Sequence, residues 1–261
     1  MIELFPSRTV ALVVFDVSIY WYGILYVMAF WIAWYLLPRL QRYRRLALSR
    51  EQWTYLAAWG AAGVIIGGRI GYALFYEPSY FISHPLDIFM LRQGGMSSHG
   101  GFLGVLFTLW YASRRLGVSL LAVTDVVVVP AAIGLALGRL GNFINQELYG
   151  TLTTMPWGIS VPEVEGQRHS AQLYAFAKDC LIAFIGWAHV RHAAQQRIPG
   201  STTAIFLIVY SLLRLAVEFV RVQEWPLVFG LSRGQLYTIP LFMAGVVLWI
   251  KVSRRATEAT G

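Results

Sequence analysis

Charge is scarce in this sequence. Asp, Glu, Lys and Arg make up 13% of its 261 residues, where an ordinary soluble domain carries about 25%. Apolar residues account for 57%, and the mean hydropathy is +0.57. That composition excludes intrinsic disorder, which requires low hydrophobicity, and argues against a water-soluble globule. Cysteine is almost absent. Cys180 is the only one, so no internal disulfide can form, and its apolar surroundings predict a small buried hydrophobe. There is no Cys/His cluster with zinc spacing, no glycine-rich loop running into Lys-Ser or Lys-Thr, and no serine triad. His84, His169, His189 and His192 are scattered. Lysine is nearly missing as well, with Lys178 and Lys251 alone among 21 basic residues. A Schiff-base role for Lys178 fits poorly, because it does not fall in the last apolar run. The N-terminus lacks a basic leader, and Pro6, Arg8 and Asp16 interrupt it. A cleavable secretory signal is therefore not expected.

Long apolar runs are what the sequence has instead. About 20 mostly apolar residues are needed to cross a bilayer as a helix. Seven runs qualify: 19–37, 54–76, 97–113, 120–142, 170–190, 201–221 and 234–251. The predicted fold is an all-α polytopic membrane protein, read as one integral membrane domain over residues 1–261. The third run is short and holds Gly100, Gly101 and Gly104 after Gly94 and Gly95. That predicts a helix whose outer end starts below the membrane surface and packs closely on its neighbours. Twelve basic residues fall in the odd-numbered loops and the C-terminal tail: Arg39, Arg42, Arg44, Arg45, Arg50, Arg114, Arg115, Arg191, Arg197, Lys251, Arg254 and Arg255. Four fall on the other side: Arg8, Arg92, Arg168 and Arg233. Basic loops stay in the cytoplasm, which places the N-terminus outside and the C-terminus inside. The same bias accounts for the net charge of +8, which in a soluble chain would suggest nucleic acid. The stretch 143–169 is rich in Gly, Pro and Asn and reads as a small extracytoplasmic cap.

Charged residues inside such runs are costly and become functional candidates. Arg139 and Asn142 stand three apart in Gly138-Arg-Leu-Gly-Asn-Phe-Ile-Asn-Gln-Glu147-Leu-Tyr-Gly150, and so share a helix face. An arginine fork beside amide donors suits a phosphate. The alternative is a structural Arg–Glu pair at a helix end. In the sixth run Tyr210, Arg214, Glu218 and Arg221 project at roughly 0°, 40°, 80° and 20° on a helical wheel, all on one face. Glu218 can neutralise one arginine, and the surplus positive charge calls for an anion. His99 lies near the start of the third run, where a helix N-terminus favours anions and a neutral imidazole. It is a candidate base, with a structural hydrogen bond as the alternative. Arg69, in Gly67-Gly-Arg-Ile-Gly-Tyr72, stands evenly between a ligand contact and packing.

These motifs, with Tyr20-Trp-Tyr-Gly23, Gly234-Gln235 and Ile239-Pro240, resemble those of the prolipoprotein diacylglyceryl transferases of bacterial inner membranes. The resemblance runs almost end to end, and the block from Gly138 to Gly150 is its most specific part. It implies transfer of the diacylglyceryl group of phosphatidylglycerol to the lipobox cysteine thiol in a prolipoprotein signal peptide. Glycerol 1-phosphate would be the by-product, and the reaction would be the first step of lipoprotein maturation. By resemblance, Tyr22, His99, Arg139, Asn142, Glu147, Gly150 and Arg214 match positions important for activity. Asp125, Tyr210, Glu218 and Arg221 match further polar positions, with Asp125, Glu218 and Arg221 taken as structural or ion-pairing. Arg69 and Tyr210 join the expected phosphatidylglycerol contacts. No metal, cofactor or nucleic acid is implied. The chain departs from the pattern where His169-Ser-Ala-Gln-Leu-Tyr-Ala175 lacks a usual proline and glutamate, and where Gln146 replaces a usual glycine. These departures keep a paralogous lipid-modifying transferase with another acceptor as the alternative. A lipid or anion transporter is a second one, disfavoured by the lack of internal repeats.

Overall fold

A computed structural model describes residues 2–4, 7–91, 94–192, 198–223, 227 and 229–258. Arg92 and Arg197, two of the charges that set the expected orientation, lie outside the described residues. The chain is mostly helical, and two compact units can be described separately.

The first unit comprises residues 1–44 and 124–261. It opens with three short antiparallel strands, β1 (Ile2–Leu4), β2 (Val10–Val14) and β3 (Val17–Tyr20). The β2–β3 turn is only Phe15-Asp16, with φ of 45° and 65°. Two positive φ values are what a tight type I′ hairpin turn needs. Helix α1 (Trp21–Leu40) follows and ends in a 3-10 turn, Gln41–Arg44. In the second unit, residues 45–123, α2 (Arg50–Phe75) starts at a capping box. The Ser49 hydroxyl accepts from Gln52 N, and the Gln52 side chain accepts from Ser49 N, which satisfies donors a helix start leaves open. A short α3 (Pro78–Ser83) leads to α4 (Ser98–Arg115). Helix α5 (Leu120–Asn145) runs out of the second unit into the first. There it is joined by a two-stranded ribbon, β4 (Ile159–Ser160) with β5 (Gln167–Arg168), and by α6 (Ala171–His192), α7 (Ser201–Glu218) and α8 (Arg233–Glu258).

Among the described residues, six helices are long and apolar enough to cross a membrane: α1 with its 3-10 turn, α2, α5, α6, α7 and α8. The fold is that of an all-α, multi-pass membrane protein. Large apolar side chains cover the outside of these helices, including Val27 and Trp31 on α1, Phe184 on α6 and Met243 on α8. Water would penalise that surface, and lipid tails accept it. Helix α4 coincides with the short third run but carries Ser98, His99 and three glycines, which lower its hydropathy. Cys180 sits exposed on α6, contrary to the expected burial. A membrane helix turns apolar side chains outward as readily as inward, so apolar neighbours in sequence do not imply an interior position.

Within the first unit, α5, α6, α7 and α8 meet around Ala132, Ile182, Ala183 and Tyr210, with Phe206, Leu213 and Leu241 packed on them. One end of this bundle is locked by Asp125, which is fully buried. Its carboxylate accepts hydrogen bonds from Arg44 Nε at 2.6 Å and from the Gly200 and Thr203 backbone N–H groups at 2.9 and 2.7 Å. The acidic side chain thus caps the start of α7, where free N–H groups and the helix dipole favour a negative charge. Arg44 also bonds Ser201 and Thr202.

Candidate active site

About 21 Å along α5 from Asp125, at 1.5 Å per residue, the first unit holds a cleft. It is lined by Arg139, Leu148, Ala171, Gln172, Ala175, Lys178, Arg214, Val217 and Arg221. Four of these nine residues are cationic and none is acidic. Two carboxylates brace the cations from behind. Glu218 pairs with Arg214 one helical turn away, and its Oε2 lies 3.4 Å from Arg221 Nη1. Asp179 pairs with Lys178. The balance leaves two positive charges over.

Arg139 carries most of that surplus. Its side chain is half-buried in the last turns of α5 and, among the described residues, has one hydrogen bond, a long one of 3.5 Å to Asn142 Oδ1. Among the described residues no carboxylate lies within ion-pair distance of it. A guanidinium has five donors in a fixed fork, so most of the donor capacity of Arg139 is unspent. Glu147 does not pair with it. The Glu147 carboxylate accepts from Asn142 Nδ2 at 2.8 Å and Asn145 Nδ2 at 3.5 Å. The first of these bonds orients the Asn142 amide so that its oxygen faces Arg139. Tyr22 from α1 lies over Gly141, where a Cβ would come 2.8 Å from the ring's Cε2. Its hydroxyl lies against the side chains of Tyr26 and Asn142. Tyr22, Asn142, Glu147 and Arg139 therefore form one contiguous group.

Local backbone builds the rest. The turn after α5 places Gln146 and Leu148 at φ of 58° and 57°, on either side of Glu147. Left-handed backbone suits glycine best, which gives a physical reason for the glycine usual at position 146. Gly150 contributes space instead. Its N–H reaches His169 O at 2.8 Å, it bridges to Arg221, and a Cβ there would sit 2.6 Å from His169 Cβ. This crossing pins Arg221, which lies beyond the end of α7 and still returns its guanidinium to Glu218. Ser232 N-caps α8 reciprocally with Gln235 and donates to Glu218 Oε1 at 2.8 Å. Gly234 leaves room for Arg214, whose Nη2 would be 2.9 Å from a Cβ at that position. At the start of α6, the Ser170 carbonyl accepts from Leu173 N at 2.9 Å and from Tyr174 N at 3.1 Å, the first backbone bonds of the helix.

The second unit holds His99 and Arg69. His99 lies in the first turn of α4, half-buried, beside the cap formed by Ser97 Oγ and Gly100 N at 3.2 Å. The surrounding glycines serve helix packing. A Cβ on Gly67 would lie 2.7 Å from Gly104 Cα, and one on Gly71 2.6 Å from Gly100 Cα. Small residues four apart on α2 and α4 bring the two backbones together, as in membrane helix pairs. Arg69, buried, donates hydrogen bonds to five backbone carbonyls, those of Asp87, Ile88, Met90, Gly94 and Gly95. It organises the loop before α4 and has no donor left over. In the loop, Tyr80 donates to the Asp87 carboxylate, and that bond raises the phenol's pKa above its ordinary value.

The sequence groups Arg139, Asn142 and Glu147 in one segment and Arg214, Glu218 and Arg221 on one helix face. The cleft brings Arg139, Arg214 and Arg221 together and adds Lys178 and Gln172, which were not among the expected site residues. The cap motif holding Gln172 was the available signal. Lys178 had none, because adjacent residues on a helix do not share a face and its pairing with Asp179 is not anticipated by spacing.

Residues 9–251 match the family described as "Prolipoprotein diacylglyceryl transferase". The chain belongs to this family. It is 41% identical over 238 residues to a phosphatidylglycerol–prolipoprotein diacylglyceryl transferase of Legionella pneumophila strain Lens, covering 89% of this chain and 92% of the relative. It is 37% identical over 258 residues to the protein of that name from Bordetella avium strain 197N, covering 95% and 96%. A Geobacter sulfurreducens protein of the same name is 40% identical over 241 residues, covering 90% and 91%. The region shared with the prolipoprotein diacylglyceryl transferases takes in the cationic cleft, the altered segment 169–175 and the His99 helix.

Proposed function

We propose that the protein transfers the diacylglyceryl group of phosphatidylglycerol to the lipobox cysteine of prolipoproteins. The observation that carries this reading is Arg139: an arginine inside a membrane protein, facing a cleft, with its donors largely unspent and no carboxylate beside it. Such a group is expensive to keep, and a phosphodiester oxygen is what its fork fits. Arg214 completes the clamp from α7. Asn142, Glu147 and Tyr22 orient the headgroup, and Tyr210 lies against Lys178 of the cleft wall. Gly150 keeps the Arg221 crossing closed, and Glu218 holds both Arg214 and Arg221. Asp125 acts as an ion-pairing residue of the scaffold. Arg69, whose acceptors are all backbone, serves the substrate only through the loop it organises.

In the reaction, the substrate thiolate attacks the glycerol carbon that bears the phosphate. A C–S bond forms and the C–O bond breaks. Both bonding electrons leave with glycerol 1-phosphate, which gains a negative charge. Fixed guanidinium groups stabilise that charge as it develops. His99 is the candidate base that takes the thiol proton. Holding two membrane-bound substrates side by side supplies much of the remaining acceleration. The chain's own Cys180 takes no part, and no cofactor is required.

The reading includes a single integral membrane domain over residues 1–261 with α4 as a seventh span. The N-terminus and a small cap at about 143–169 lie outside, and the C-terminus lies in the cytoplasm of the bacterial inner membrane. The loop arginines support that orientation. The test is purified protein with phosphatidylglycerol vesicles and a lipobox peptide, assayed by mass spectrometry for the thioether adduct. An adduct that disappears with a Cys→Ser peptide and falls on the order of 10²–10³-fold with Arg139→Ala is expected. An Arg139→Ala enzyme within threefold of the parent would overturn the clamp, and no adduct from folded, lipid-binding protein would overturn the acceptor.

A further inference from the structure

Lys178 is the one lysine within an apolar run that lines the cleft. It is 6% exposed. Among the described residues its ammonium has one hydrogen-bond partner, Asp179, and its Nζ lies 4.6 Å from the centre of the Tyr210 ring. An ammonium has three donors. One is taken by Asp179 and one side is covered by the ring, so donor capacity remains on the cleft side, where Arg139 and Arg214 also present theirs.

A purely structural pair would be closed on both sides, because a buried ion pair repays its desolvation only when its remaining atoms are hydrogen-bonded. This pair is open on both sides. Asp179 is 1% exposed, yet its Oδ2 has no hydrogen-bond partner. Gln172, about two turns earlier on the same helix and lining the cleft, is in the same condition. Its Nε2 donates to Glu147 O at 2.7 Å, which fixes the amide orientation, and its Oε1 is buried with no donor. The α6 wall thus offers unspent donors on Lys178 beside unspent acceptors. A phosphate oxygen answers the first, and a headgroup hydroxyl answers the second.

We propose that Lys178 is a further headgroup-binding residue, its ammonium contacting a phosphate oxygen of the donor lipid while Asp179 acts as its positioning residue. This rests on the phosphatidylglycerol reading above and deepens it by assigning α6 a part of the site. Lys178 shares the ground-state charge, so it acts on lipid affinity more than on the chemical step.

The experiment compares the parent protein with Lys178→Met/Asp179→Asn, Lys178→Arg and Arg139→Gln, each in phosphatidylcholine nanodiscs with a varied fraction of phosphatidylglycerol. Two readouts are taken: lipid binding by native mass spectrometry, and KM and kcat for the peptide adduct. The double variant removes both charges in near-isosteric form, so it keeps the fold while removing the cation. Expected is a roughly tenfold weaker binding and higher KM, the size of one charge-assisted hydrogen bond, with kcat within threefold. Lys178→Arg keeps at least half the parent affinity. A double variant that binds and turns over like the parent makes Lys178–Asp179 a packing pair and overturns the proposal. If the parent binds phosphatidylglycerol but transfers nothing, the transferase reading fails while the binding comparison still decides the role of Lys178.

Discussion

The two ends of α5 treat an arginine in opposite ways. Near its start, Asp125 receives Arg44, and the guanidinium goes on to Ser201 and Thr202, with both side chains at 0% exposure. Near its end, Arg139 has, among the described residues, one long bond to Asn142 and no carboxylate partner. Both arginines sit in the same unit, and both are costly to desolvate. The first is spent on the fold: it ties α1 to the start of α7 through a side chain on α5. The second is withheld from the fold and kept available to a ligand. Arg69 falls with Arg44, since five carbonyls use its donors. Arg214 and Arg221 lie between, sharing Glu218. Unspent donor capacity, more than burial or charge alone, separates binding arginines from scaffold arginines in this protein.

Breaking the scaffold end carries the largest expected effect. Arg44→Leu strands a buried carboxylate and lowers stability by about 3–5 kcal/mol, seen as a steep loss of folded protein and an early thermal transition in detergent. If Arg44→Leu melts with the parent and only loses turnover, the division between the two ends fails. At the other end, Arg214→Gln lowers kcat/KM on the order of 10²-fold with little change in melting, because Glu218 keeps Ser232 and Arg221. Gly150→Ala tests the crossing that positions Arg221. The added methyl meets backbone at Val220 O and costs about 1–3 kcal/mol, with activity falling by more than stability. The smallest effect is at Gln146→Gly. Relief of the positive φ offsets glycine's extra chain entropy, and stability rises by less than about 1 kcal/mol. A loss of activity there would mean that the Gln146 side chain contacts substrate.

Much of this was legible in the sequence where chemistry is repetitive. The apolar runs match the long helices to within a few residues at most ends, because about 20 apolar residues have few other fates. Arg139 and Arg214 stood out because an arginine in an apolar run is costly wherever it falls, and the same signal picked out Arg69, whose donors go to backbone carbonyls. Legibility ended where a residue type serves two purposes. Gly100 and Gly104 read as close packing on an unnamed neighbour, and the structure shows that neighbour to be α2 at Gly63, Gly67 and Gly71. A glycine in sequence does not tell which backbone it admits. Arg44 read as one more cytoplasmic loop charge, since its partner is 81 residues away. The β2–β3 hairpin went unread because Phe15-Asp16 is not the Asn-Gly or Asp-Gly that signals such a turn.

The most direct test of the division between spent and withheld arginines is a paired measurement on Arg139→Gln: phosphatidylglycerol affinity in nanodiscs and melting temperature in the same preparation. At least tenfold weaker binding with unchanged melting is the result expected of a guanidinium reserved for phosphate. Unchanged affinity with a lowered melting temperature would contradict it, and would place Arg139 with Arg44 as part of the scaffold.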